Sequence, residues 1–444
     1  MRWGVAQVAL ARGRRLTMVG GLWLALWLIQ AQPALAHAEL VRADPPDLCG
    51  ASATSAPARG AANCDHGVIL SSAPASVSVW FTEAVTPVGH GILVLSPSGQ
   101  AVEQGTARPI GLELRVPIQA TSAGTYLVSW QVISDDTHPV RGWYVFSVDH
   151  ASAVPSAAVA PHDIGAVWPP AFVLMVIARW LHFAGYSLAF GPIVFRRRVW
   201  DVVGGARAAA KPWLTGLLNV GMIAMIVAGP LAILAQIASF GAAALGDPDI
   251  VGAIFDSRLG EVVAIQVGAA LLLWMLAGVG PARQGGIGLA EMTLGLAIAM
   301  GDSEASHAAG SALAVAMQAL HIAAMGTWLG GLVALLGVWQ HTPSDQRAGL
   351  LARFGKVALL SLTVLALTGS LLAWLRFPQL ASIAGTAYGQ TFLAKMAAVL
   401  AAMALAATAL RRTTSRVGSW RLEAGAMALA LALAGVLASL PPPR

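Results

Sequence analysis

The chain has 444 residues, 57% of them hydrophobic and only 11% charged, and a mean hydropathy of +0.69, which excludes a single soluble globule. Its formal net charge is +6. In so apolar a chain, an excess of Lys and Arg points to loops beside membrane spans before it points to nucleic acid.

At the front, Arg2, Arg12, Arg14 and Arg15 precede an apolar run from Leu16 to Ile29, and Ala34-Leu35-Ala36 follows. This is the three-part layout of a secretory signal, with a core too short to span a bilayer and a small-x-small cleavage point after Ala36. Residues 1–36 are therefore expected to be removed, leaving His37 as the first residue of the mature chain. Arg14-Arg15 is only a weak twin-arginine signal, so Sec export is expected. The two cysteines, Cys49 and Cys64, both follow the signal and would meet an oxidising compartment. The expectation is a disulfide, contributing about 3 kcal/mol for a loop of this length; the competing reading is a thiol metal site with Asp65 and His66.

From residue 37 to 150 the composition is that of a small all-β domain. Alternating segments run over Ser76–Phe81, Gly91–Ser96, Glu113–Ile118, Thr125–Ile133 and Trp143–Val148, separated by turn residues such as Pro97-Ser98-Gly99 and Ser122-Ala123-Gly124. An Ig-like or Greek-key sandwich, or a barrel, is expected. Residues 151–166, rich in Ala, Pro and Ser, then read as a linker, and residues 167–444 as an all-α membrane bundle.

The front domain carries metal chemistry at its two ends. A terminal His37 offers its α-amine and its imidazole to one ion. Asp136 and His138 stand two positions apart, so on an extended strand they point to the same face. Nitrogen and oxygen donors of this kind suit tetragonal Cu(II), the divalent ion such sites bind most tightly. Taken alone, Asp136 and His138 also fit a polar turn before Pro139.

His37-Ala38-Glu39-Leu40 with Asp44-Pro45-Pro46, then Trp80-Phe81-Thr82-Glu83, then Ser134-Asp135-Asp136-Thr137-His138-Pro139-Val140 and Gly142 resemble the periplasmic copper-binding CopC family in order and spacing. The resemblance implies that His37, Asp136 and His138 hold Cu(II) and that Glu83 supports those ligands without binding the ion itself. Two features depart from the family. The Cys49–Cys64 segment looks like an insertion, and no Met occurs between His37 and Trp168, so the methionine-rich Cu(I) site of some members is not expected.

Beyond the linker eight apolar spans follow: Val167–Phe195, Trp213–Ala238, Gly260–Val279, Gly286–Met300, Ala312–Trp339, Val357–Leu375, Thr391–Leu410 and Leu422–Leu440, the fourth being the shortest. With the front domain outside, the loops after the odd-numbered spans gather Arg196, Arg197, Arg198, Arg207, Lys211, Arg283, Arg347, Arg353, Lys356, Arg411, Arg412, Arg416 and Arg421, whereas the opposite loops hold little beyond Arg258 and Arg376. This positive-inside pattern agrees with an exported front domain, places the protein in a bacterial-type cytoplasmic membrane with that domain in the periplasm, and leaves no need for a nucleic-acid partner.

Inside the spans, Met317, His321 and Met325 recur every fourth residue along the fifth. Thioether and imidazole suit Cu(I), while a lone intramembrane His is as often a hydrogen-bonded structural group as a functional one. His307 precedes that span and His182 lies in the first. Methionine at this spacing is also ordinary core filling, and Gly326, Gly330 and Gly331 read as a close helix contact. Met222, Met225, Met292 and Met300 are weaker candidates.

His307-Ala308-Ala309, His321, Gly326-Thr327-Trp328-Leu329-Gly330-Gly331, Arg353-Phe354, Thr386-Ala387-Tyr388-Gly389, Leu393, Lys395, Arg421 and Glu423 are similar to the CopD copper-resistance membrane family. What the two resemblances imply together is copper import, homeostasis or resistance: Cu(II) captured outside by His37, Asp136 and His138, then copper passing inward by His307, His321, Met317, Met325 and His182. That route implies a reductant, or a periplasmic copper donor, as partner. No Walker-type loop or ATPase motif is present, and no enzyme activity is expected. Two other classes fit part of the pattern: a histidine-brace oxidative enzyme, and a haem- or copper-containing electron-transfer bundle using His182 and His321.

Overall fold

The structure, a computed structural model of the chain, describes residues 38, 40–47, 67–134, 139–155, 169–200, 207–277, 284–304, 312–377, 381–411 and 416–440. Its front part has eight strands: β1 (Leu40–Asp44), β2 (Val68–Leu70), β3 (Ser76–Phe81), β4 (Val85–Leu95), β5 (Arg108–Ile110), β6 (Glu113–Pro117), β7 (Gly124–Ser134) and β8 (Pro139–Val148). They form two four-stranded sheets in the orders β1-β3-β6-β5 and β2-β8-β7-β4. This is the all-β sandwich the alternation implies. The five expected segments are all strands, and β1, β2 and β5 are additional.

Alternation explains the core. Val77, Val79 and Phe81 on β3 face Ile92, Val94, Val128, Trp130, Tyr144 and Phe146 from the second sheet, all essentially buried. Gly142 is required by this packing, because a Cβ there would lie 2.1 Å from Trp130 Cζ2. Ser152, just past the sandwich, is bonded to Thr125 through its hydroxyl, amide and carbonyl. β4 is bulged between Pro87 and Ile92, where its register with β7 shifts and Gly89 and Gly91 take φ of 60° and 71°.

The second part is helical: α1 (Pro169–Phe195), α2 (Arg207–Ser239), α3 (Pro248–Phe255), α4 (Arg258–Ala277), α5 (Gln284–Glu304), α6 (Ala312–Val338), α7 (Ser344–Arg376), α8 (Ala381–Gly385), α9 (Ala387–Arg411) and α10 (Arg416–Ser439). Among the described residues, seven helices are long and apolar enough to cross a membrane: α1, α2, α4, α6, α7, α9 and α10. The fourth expected span is present as α5, whose apolar stretch Ala290–Gly301 is shorter. The remaining helices α3 and α8 are short connectors.

α1 is the hub, packing on α2, α6 and α10. It meets α6 backbone to backbone: a Cβ on Gly330 would lie 1.8 Å from the Ser187 carbonyl oxygen, and one on Gly191 2.5 Å from the Gly326 oxygen. Small residues are what let two helices come this close. At the arginine-rich end, the Arg196–Trp200 π turn that follows α1 is tied to α5, where buried Glu291 accepts from Arg197 Nε at 2.8 Å and Arg196 Nη2 at 3.4 Å.

Candidate metal centres

The register of the sandwich decides which residues can share an ion in the front domain. β1 starts at Leu40 opposite Phe81, the last residue of β3. β4 starts at Val85 opposite Ser134, the last residue of β7, and β8 starts at Pro139 opposite Ile133. The start of β1, the β3–β4 turn carrying Glu83 and the facing ends of β7 and β8 therefore lie at one end of the sandwich. Ala38 is 2% exposed there and Glu83 is half-buried. His37, Asp136 and His138 lie outside the described residues, as do Cys49, Cys64 and His307; what the structure supplies is the convergence of the backbone on either side of the three expected ligands.

Beneath that end Trp130 stands edge-on to Phe81, with centroids 6.4 Å apart, and tilted against Tyr144 at 6.4 Å. Trp130 Nε1 and the Tyr144 hydroxyl are buried and find no hydrogen-bond partner among the described residues. Burial pushes the Tyr144 phenol above its ordinary pKa, and the negative charges of Asp44 and Asp47 push it the same way. Tyr144 is thus a neutral core residue rather than an anionic donor.

In the bundle, His321 is the best-defined candidate. Its Nδ1 lies 2.9 Å from Thr368 Oγ1 on α7, and that hydroxyl donates its single proton to the Val364 carbonyl at 2.7 Å. Thr368 can then only accept from His321. Donor balance assigns the Nδ1–H tautomer and leaves the Nε2 lone pair available, as in a ligating histidine oriented by an outer hydrogen bond. Gly369 makes room for the ring, since a Cβ there would lie 3.2 Å from His321 Cε1. The Lys395 side chain of α9 is within electrostatic reach of the same imidazole.

The methionine stripe does not face one neighbour. Met325 turns to α1, with Sδ 3.4 Å from Ser187 Oγ, while His321 turns to α7; Met317 is half-buried. A four-residue step advances about 40° around the helix, so successive members of such a row reach different partners. His182 is buried on α1, its ring edge-on to Phe183 at 6.0 Å. Met222 and Met225 are core residues between α1 and α2. Among the described residues, no three His, Cys, Asp or Glu side chains form a metal-holding group.

Thr368 and buried Gln236 escape sequence reasoning, because an uncharged polar residue inside an apolar span carries no local mark. Lys395 and Glu423 belong to the CopD resemblance, and buried Glu423 accepts from Trp328 Nε1 at 3.3 Å. Glu291 carried a signal: a carboxylate in the weakest span of a chain whose first span ends in three arginines.

A β sandwich continuing into a bundle with seven long apolar helices defines a multi-pass membrane protein with a folded front domain. The CopC domain matches residues 60–149, the N-terminal domain of copper resistance protein D-like proteins matches 170–314, and copper resistance protein D matches 348–438. The chain belongs to the CopC family of copper resistance proteins, in a form that joins the CopC domain to a CopD membrane domain. It is similar to copper resistance protein C of Xanthomonas campestris pv. juglandis, at 33% identity over 86 residues, 17% of this chain and 68% of that one. The copper transport protein CutJ of Bacillus subtilis (strain 168) is 25% identical over 404 residues, covering 84% of this chain and 72% of the relative. The crystal structure of CopC from Methylosinus trichosporium OB3b is 24% identical and covers 28% of this chain and 100% of that one, with a TM-score of 0.20. The matched families are copper-resistance and copper-transport proteins rather than enzymes.

Proposed function

We propose that the chain captures Cu(II) outside the cytoplasmic membrane and moves copper inward across it. Removal of residues 1–36 exposes His37 in the periplasm, where its amine and imidazole join Asp136 and His138 around one cupric ion, with Glu83 behind them. The observation that carries this reading is the convergence of the start of β1, the β3–β4 turn and the facing ends of β7 and β8 at one end of the sandwich. Residues 49 and 64 close a disulfide in the segment before β2. Copper then passes His307 and enters the bundle as Cu(I) at His321, whose free Nε2 is the donor, along a path flanked by Met317, Met325 and His182. A separate periplasmic partner supplies the reducing electron. The family membership and the similarity to a protein named as a copper transporter support copper as the cargo.

A haem wedged between α1 and α6 is disfavoured by their backbone contact at Ser187 and Gly330. An oxidative histidine-brace site is disfavoured by the Asp136 carboxylate that fills the copper plane. The test is cellular copper content with and without the chain, beside His37→Ala and His321→Ala, together with sequencing of the mature amino terminus. Both variants are expected to accumulate less copper than the intact chain; equal accumulation in His321→Ala removes the path through α6, and a terminus other than His37 removes the proposed coordination.

A further inference from the structure

The sandwich sits against the bundle. Val88, at the bulge of β4, and Ile133, near the end of β7, are 3% and 2% exposed. They share one apolar cluster with Ile233 and Ile237 of α2, Ala244 of the 3₁₀ turn after α2, and Ile254 of α3. Beside them Arg141 on β8 donates Nη2 to the Ser239 carbonyl at 3.1 Å, and its guanidinium lies 4.9 Å from the centre of the Phe240 ring.

Pairing explains why these residues reach outward together. Ile133 pairs with Pro139 and Arg141 with Gln131, while the intervening pair Val132 and Val140 points into the core. Ile133 and Arg141 therefore project from the outer face of the second sheet, on either side of the β7–β8 connection. The surface they meet is preformed. Asp247 caps α3 by accepting from the amides of Asp249 at 2.9 Å and Ile250 at 3.4 Å, with Pro248 in the first turn. Ser239 ends α2, so its carbonyl has no partner within the helix and is free to accept from a side chain.

We propose that the end of α2 and the short helix α3 form a dock for the copper-binding end of the sandwich, and that Arg141 is the positioning residue that holds the facing ends of β7 and β8 over the bundle for transfer of the ion. The inference rests on the copper-transfer reading above and deepens it. Arginine suits the task because one guanidinium donates to a helix-terminal carbonyl while its flat face rests on Phe240; lysine keeps the charge but loses the fork. The dock fixes the distance between capture and entry, which raises the local concentration of the ion at the mouth without adding a ligand to either site.

The test uses the full-length protein with Arg141→Ala, Arg141→Lys, Phe240→Ala and the double alanine variant. Hydrogen exchange over Val251–Ile254 reads docking, Cu(II) titration reads capture, and copper uptake normalised to protein reads transfer. Arg141→Ala is expected to speed exchange in α3 and lower maximal uptake by about tenfold, with Cu(II) affinity and the copper concentration for half-maximal uptake within about twofold. Arg141→Lys is expected to recover part of the uptake, and the double variant to lose less than the two single losses combined. Unchanged exchange overturns the dock. Faster exchange with wild-type uptake overturns its role in transfer and leaves the transport reading standing. Uptake that does not depend on the chain at all defeats the transport reading and this inference with it, while exchange still reports the contact.

Discussion

Replacing Thr368 with Val keeps the volume of the side chain and removes the oxygen that accepts from His321 Nδ1 at 2.9 Å. Thr368 is 4% exposed, so water does not readily take its place and the imidazole N–H is left without a partner at the α6–α7 contact. An unsatisfied buried donor costs about 1–3 kcal/mol, roughly five- to 150-fold in an equilibrium, a range that contains the roughly 10–100-fold loss seen when an outer partner of a ligating histidine is removed. Cu(I) binding by the detergent-purified chain, measured against a competing chelator, should weaken by that factor. Copper accumulation should fall in parallel, and Thr368→Ser should restore both. A valine variant that binds Cu(I) as the native chain does, or a serine variant as poor as the valine one, would refute the assignment of Nε2 as the donor.

Other outcomes follow from the same geometry. His37→Ala should abolish tight Cu(II) binding, and in the native chain affinity should fall about tenfold per pH unit just below the ordinary amine pKa of about 7.7 and more steeply below about 6.5, where the two imidazoles also take up protons; a pH-independent titration between 5 and 7 would exclude this ligand set. Gly330→Leu should prevent α1 and α6 from closing, since even a Cβ meets the Ser187 oxygen at 1.8 Å, and should lower the melting temperature in detergent or abolish insertion. Glu291→Gln removes the negative charge between Arg196 and Arg197 and leaves one amide oxygen where two carboxylate oxygens accept; with both arginines partly exposed, it should destabilise the bundle by about 1–2 kcal/mol, which thermal denaturation will read.

How much was legible in the sequence depended on the range of the interaction that carried the signal. β3, β6, β7 and β8 announce themselves by alternation, because each buries one face over five or more residues. β4 was read only from Gly91, since Thr86-Pro87 and the glycines of the bulge interrupt its pattern. β2 and β5 are three residues each and too short to show a period. The helices extend past the expected spans because apolar counting stops at charge: α7 begins at Ser344, a full three turns before Val357, through a segment holding Arg347, Arg353 and Lys356. The close contact of Gly330 was legible, as small residues recur where helices touch. The bond from His321 to Thr368 spans 47 residues and that from Arg141 to Ser239 spans 98; no local pattern encodes which helix faces which, so neither partner was foreseen.

The hub position of α1 has a consequence for how the protein is made. The first helix to reach the bilayer carries the notch that Gly326 and Gly330 later fill, and it also supplies the surface on which α10 finally leans. During synthesis that notch must face acyl chains until more than a hundred further residues have been threaded, so a nascent chain halted before α6 presents an incomplete helix surface to the lipid. The bundle is thus finished by its latest segments rather than its earliest, and a lesion in α6 or α10 should be felt first as a failure of biogenesis.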